Sequence, residues 1–116
     1  MKSFLFAFLF LNVWFLPSLT PPQIFKTSLT LTVRDELGNT VEGASVKLFE
    51  KKDDYTKEVN AVEEATTDAK GIVRFKKLKP IAYFILCRKG DKDNTGGGEE
   101  TKLEDGKFNK ATIVIQ

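Results

Sequence analysis

Residues 91–100 read DKDNTGGGEE and hold the side chains closest to a binding chemistry. Asp91, Asp93 and Thr95 alternate ahead of Gly96, the order in which the first oxygen ligands of a calcium loop fall. Oxygen donors at every second position can wrap one hard cation. The twelfth position of such a loop needs a bidentate carboxylate, and here it is Lys102. Asp91, Asp93 and Thr95 therefore stand as metal candidates in an incomplete pattern, against a solvated polar loop. The glycines that follow make no phosphate cradle: no Lys-Ser/Thr comes after them, and Glu99 and Glu100 repel phosphate.

Catalytic constellations are harder to assemble. The chain has no histidine, which removes Ser-His-Asp triads, Cys-His pairs and His-ligated zinc. The serines are Ser3, Ser18, Ser28 and Ser45, none in a nucleophile setting. Cys87 is the single cysteine, so no internal disulfide can form. Between Leu86 and Arg88 it reads as a small buried hydrophobe rather than a reactive thiol. Carboxylates come as neighbours: Asp53–Asp54, Glu63–Glu64 and Glu99–Glu100. Adjacent residues of a strand point to opposite faces, so such doublets cannot oppose each other across a cleft. The chain is expected to be no enzyme and to need no cofactor. Arg74, Lys76, Lys77 and Lys79, with Arg88 and Lys89, form a basic stripe that an acidic polysaccharide or a phospholipid surface would fit. The plainer reading is the wet face of a strand, where lysines also discourage edge pairing.

The elements that would position these residues follow a period of two. Leu29, Leu31 and Val33 alternate with Thr30, Thr32 and Arg34; Ala44, Val46 and Leu48 alternate with Ser45, Lys47 and Phe49. Gly43 suits a bend ahead of the second strand. In TTDAKGIVRFKKLKP, Asp68 and Gly71 bracket a turn, since Asp caps its own backbone and Gly takes positive φ cheaply. Val73 and Phe75 then point inward, Arg74 and Lys76 outward, and the strand ends by Pro80. In IAYFILC both faces are apolar, which predicts a central, covered strand. KATIVIQ predicts a last strand with Ile113 and Ile115 on one face. KKDDY reads as a polar loop or turn. KEVNAVEEA is compatible with a short helix or an irregular strand, and strands on both sides favour the strand.

The N-terminus differs in kind. MKSFLFAFLFLNVWFLPSL has one basic residue, then an apolar run from Phe4 to Leu16 broken only by Asn12, then Pro17. That is the order of a secretory signal peptide. The run is short of the roughly 20 residues that span a membrane, although a retained signal anchor is the competing reading. The expected organisation is a signal peptide over 1–20, a proline-rich linker over 21–28 and one domain over 29–116. Lysine and arginine total 18 and aspartate and glutamate 16; without Lys2 the balance is 17 against 16. Near neutrality argues against a nucleic-acid partner.

Taken together, LTVRDELGNTVEGASVKLFE and TTDAKGIVRFKKLKPIAYFILCRKG resemble the carboxypeptidase regulatory-like domain. The matching positions are Val33, Asp35, Gly38, Val41, Gly43, Ala44, Val46 and Leu48, then Thr67, Asp68, Gly71, Val73, Phe75, Leu78, Pro80 and Tyr83. The resemblance implies an all-β fold: an antiparallel Greek-key prealbumin-like β-sandwich of about seven strands. It also implies an accessory or interaction role. Collagen-adhesin B-type repeats look similar and often close a Lys–Asn isopeptide bond with the help of an acid. Their lysine falls on Arg34 and their acid on Cys87, and an arginine cannot act as the amine nucleophile. Transthyretin-like hydrolases share the architecture but work with histidines.

The expected function is an exported non-enzymatic module for adhesion, carbohydrate association or envelope assembly. Its partner would be an envelope protein or polysaccharide, with neither nucleic acid nor, once the leader is removed, a membrane. The protein would be secreted, periplasmic or held in the cell envelope. The alternative is a small exported calcium- or ligand-binding protein using residues 91–100.

Overall fold

A computed structural model of the chain describes residues 27–96 and 100–116. The expected signal peptide and most of the linker lie outside the described residues. The described part is a two-sheet β-sandwich. Its strands are β1 (Thr27–Asp35), β2 (Ser45–Phe49), β3 (Glu63–Thr66), β4 (Ile72–Leu78), β5 (Ala82–Lys89), β6 (Lys92–Asp93), β7 (Glu100–Lys102) and β8 (Phe108–Ile115), with one helix, α1 (Lys52–Lys57). One sheet has the order β4-β1-β8; the other has the order β3-β2-β5-β6, with β7 also pairing β5.

Period two becomes burial. Leu29, Leu31, Val33, Val46, Leu48, Val73, Phe75, Ile85, Ile113 and Ile115 form one core between the sheets. Tyr83 and Cys87 continue it along β5, and Leu103 closes one end. The sandwich, its core and the turn positions agree with the sequence pattern. The first strand begins at Thr27, two residues earlier than the alternation suggests.

Three expectations are corrected. The sandwich is not wholly antiparallel: β8 runs parallel to β1, with Ser28 beside Phe108 and Asp35 beside Ile115. The residues of a terminal strand record its faces but not its direction, which the long return of the chain decides. The KKDDY segment is neither loop nor turn, for Lys52–Lys57 is helical. Six residues cannot hold a helix alone in water. Tertiary packing supports it: the Tyr55 ring lies 5.9 Å from Phe49 and 6.0 Å from Phe84, over the outer face of the five-stranded sheet. That cover is why β5 is apolar on both faces. Only Glu63–Thr66 of the next stretch is strand. Glu58 and Asn60 adopt positive φ of 56° and 59° and end any helix, which leaves Val59 and Val62 exposed.

Strand β4 carries a bulge. Leu29 faces Phe75 and Thr27 faces Leu78, so two residues of β1 oppose three of β4. Lys77 takes the extra place at φ 58°. The spacing Phe75–Leu78 cannot put both side chains inside a regular strand. The bulge does so, and leaves Lys76 and Lys77 both in solvent.

The chain changes sheets twice at one end, and both passages are tied together. Thr67 is buried; its hydroxyl accepts from Ala44 N at 2.9 Å and donates to Val41 O at 2.6 Å. Its backbone N–H donates to Ala44 O, and its carbonyl accepts from Gly43 N. Asp68 Oδ1 accepts from Lys70 N and Ile72 N, and Asp35 Oδ1 from Leu37 N and Asn39 N. At Gly71, φ is +74°, and a Cβ would stand 2.9 Å from both Val33 O and Thr40 Cβ. Any side chain there would push the two passages apart.

Two outcomes follow. Thr67→Val keeps the shape but strands a buried N–H and a carbonyl; denaturant unfolding should show a loss of about 1–3 kcal/mol. Backbone donors hold Asp35 and Asp68 below the usual carboxylate range, Asn39 N–H leading for Asp35 and Ile72 N–H for Asp68. A carboxylate depressed in the folded state stabilises above its unfolded value of about 3.9 and loses that as pH falls further. Thermal melts of Asp68→Ala and wild type should therefore differ at neutral pH and converge as pH falls below about 4.

Candidate functional site

The 91–96 segment forms the corner where the two sheets meet. Its short strand β6 pairs with the end of β5, Arg88 against Asp93 and Lys89 against Lys92. On its other side Asp93 N–H donates to Gln116 O at 3.3 Å, and Gln116 N–H donates to Asp93 O at 3.0 Å. This corner is pinned from inside by Asn94. Its side chain is buried: Oδ1 accepts from Cys87 N at 2.9 Å and Nδ2 donates to Ile85 O at 2.8 Å. An asparagine offers one acceptor and one donor, matching the two backbone groups that β5 presents there.

Asp91, Asp93 and Thr95, the candidate ligands, are placed apart in role. Asp91 is exposed in the turn between β5 and β6. Asp93 Oδ1 accepts from Thr95 Oγ1 at 2.7 Å and from Thr95 N at 3.1 Å, and Oδ2 lies 3.5 Å from Arg88 Nη2. The Thr95 donors, ahead of Arg88, hold the Asp93 carboxyl below its ordinary range. Asp93 thus spends its oxygens on the loop itself and on Arg88. Among the described residues no three carboxylate, thiol or imidazole side chains converge. Residues 97–99 of the stretch lie outside the described residues.

The basic stripe divides between two sheets. Arg74 and Lys76 project from β4 of the three-stranded sheet, where Arg74 Nε donates to Thr30 Oγ1 at 3.2 Å. Lys79 lies 3.3 Å from Glu50 Oε2. Arg88 projects from the outer face of the other sheet and grips Glu58 with both nitrogens, at 2.8 and 3.1 Å. That fork holds the Glu58 carboxyl below its usual range and anchors the residue that ends α1. The stripe is therefore not one continuous patch, and Arg88 has a structural partner that sequence alone did not suggest.

Arg34 and Cys87 are likewise kept apart. Arg34 is exposed, with Nη1 donating to Gly38 O at 2.9 Å. Cys87 is fully buried, and burial pushes its thiol up to about 12. The core there is aliphatic, with Val33, Ile113 and Ile115 from the three-stranded sheet and Ile85 from the other. A groove of about 490 Å³ lies between the corner and β8, lined by Asp93, Asn94, Thr95, Thr112, Val114 and Gln116 among others.

No family model matches the chain, and no curated protein does. Solved structures do resemble it. One is a streptococcal ancillary pilin, 15% identical, covering 99% of this chain and 37% of that one at a TM-score of 0.61. Another is the backbone protein of the group B streptococcus pilus 2b, 17% identical, covering 77% and 40% at 0.58. A third is the minor pilin of Streptococcus agalactiae, 18% identical, covering 94% and 48% at 0.55. The chain spans less than half the length of each of those proteins. At these identities the likeness is one of fold, a β-sandwich shared with pilin modules.

Intact-mass spectrometry checks the interior. The folded protein should take up no thiol-specific reagent, and the unfolded protein one equivalent, at Cys87. The mass should equal the plain sum of residues, without the loss of ammonia that a Lys–Asn crosslink leaves. Rapid labelling of the folded protein would contradict the burial described.

Proposed function

We propose that this chain is a non-enzymatic module exported to the cell envelope, where it serves adhesion, carbohydrate association or envelope assembly. One observation carries the reading: the sandwich resembles in fold a part of pilin backbone and ancillary subunits, with its interior closed by apolar side chains instead of opened as a site. The lack of histidine and the buried thiol point the same way. In this reading the domain is of the carboxypeptidase regulatory-like kind, and its partner is an envelope protein or polysaccharide met at the outer surface. The apolar N-terminal run acts as the export signal. The likeness to pilin subunits supports the envelope-assembly and adhesion side of this reading.

The test is made in the source cells. The protein should fractionate with the envelope or medium and be degraded by protease added to intact or outer-permeabilised cells. Deleting its gene should lower adherence or weaken the envelope, with rescue by the intact gene. A protein retained in the cytosol overturns the reading. A clear rise in melting temperature on adding calcium to the purified protein would instead favour a calcium-binding role for residues 91–100.

A further inference from the structure

The ends of the two sheets are not equally protected. At one end of the three-stranded sheet, β4 is guarded by Arg74, Lys76 and Lys77 and twisted by its bulge. On the five-stranded sheet β3 is only four residues long and carries Glu63 and Glu64, and β6 and β7 are two and three residues long. Strand β8 is different. It is eight residues long, regular and paired with β1 on one side only among the described residues.

The groups on that edge without a strand partner among the described residues can be named. Ser28 N–H donates to Lys107 O, so the odd-numbered residues of β8 direct their amides at β1. Phe108, Lys110, Thr112 and Val114 therefore direct theirs outward, in line with Gln116, whose N–H and C=O meet Asp93 on that same side. The same four residues expose their side chains. Phe108 is 84% exposed and Val114 is 49% exposed, two of the few large apolar side chains left in solvent. A groove separates the C-terminal half of this edge, at Thr112 and Val114, from the Asp93–Thr95 corner.

We propose that β8 is a homotypic docking edge, along which two copies of this chain pair antiparallel about a two-fold axis. The pattern is self-complementary in one register. With Phe108 opposite Val114 of the second copy and Lys110 opposite Thr112 of the second copy, all four outward-directed residues form hydrogen-bonded pairs. Each exposed apolar side chain then covers another, a pairing that favours a sheet. Sliding by one pleat in one direction sets Lys110 against Lys110 of the second copy, a repulsive pair. Sliding in the other direction sets Phe108 against Gln116, whose backbone groups Asp93 already holds. The edge thus selects one register, and the two sheets join into a continuous six-stranded one, three strands from each copy. This inference does not depend on the proposed function.

Light scattering coupled to size exclusion, over a concentration series, reads the outcome. The purified wild-type protein should approach twice the monomer mass as concentration rises. Thr112→Pro removes an outward N–H and no bond to β1, as proline is tolerated at a strand edge. It should be monomeric at every concentration with an unchanged circular dichroism spectrum. Should that variant fail to fold, Val114→Lys, at an exposed position, should give the same monomer. The double variant Phe108→Cys/Val114→Cys should form a covalent dimer on mild oxidation, because the two positions face each other between copies. A wild type that stays monomeric throughout, or a dimer that survives both Thr112→Pro and Val114→Lys, overturns the proposal. A monomer that pairs only with an extended segment of another protein overturns it as well.

Discussion

The sandwich depends on how one threonine hydroxyl lets the chain leave one sheet and enter the other. Between β3 and β4 the backbone crosses the edge of the core, where its polar groups cannot all reach water or a ladder. Thr67 answers by accepting from Ala44 and donating to Val41 through a single oxygen. Those two residues belong to the other crossing, from β1 to β2, so the hydroxyl joins two passages that lie more than twenty residues apart in sequence. Gly71 permits the close approach, and Asp35 and Asp68 satisfy the backbone of the flanking turns. Buried polar groups without partners are costly, and this clamp leaves few of them at the crossing.

The outer surfaces show the same logic in reverse. The five-stranded sheet has apolar residues on its outer face, and a single helical turn and a half with one aromatic residue covers them. Glu58, in the left-handed conformation that ends that helix, is held by Arg88 of β5. Among the described residues the three-stranded sheet has no such cover, and its outer face carries the polar side chains of Thr30, Thr32 and Arg34. Its edges divide the work: lysines and a bulge close β4 to partners, while β8 keeps four backbone amides and two apolar side chains outside.

Much of this architecture could be read directly from residue types. Alternation at Leu29–Val33, Val46–Leu48 and Val73–Phe75 marked the core, and Asp-x-x-Gly marked the turn before β4. Other features left no local trace. The six helical residues hold one anchor, Tyr55, and become helical only because Phe49 and Phe84 offer it a surface. Val59 and Val62 suggested a helix by their spacing, yet the backbone at Glu58 and Asn60 turns away from one. Asn94 lies inside a run that looked wholly solvated, since nothing in DKDNTG distinguishes the residue that turns inward. Asp91, Asp93 and Thr95 share the spacing of ligands in sequence, whereas Asp93 is engaged by Arg88 and Thr95, and Arg88 is its neighbour only after folding.

By itself, then, the amino-acid sequence determined which faces are buried, where the turns fall, and that no histidine or disulfide chemistry is available. Those are local matters, set by side-chain polarity at a period of two and by the backbone freedom of glycine. The parallel pairing of β8 with β1, the bulge that turns two lysines outward, the helical cover and the open edge were decided only by the tertiary structure. Strand direction, hydrogen-bond partnership and edge position depend on residues distant in sequence, and a period of two is unchanged when a strand is reversed.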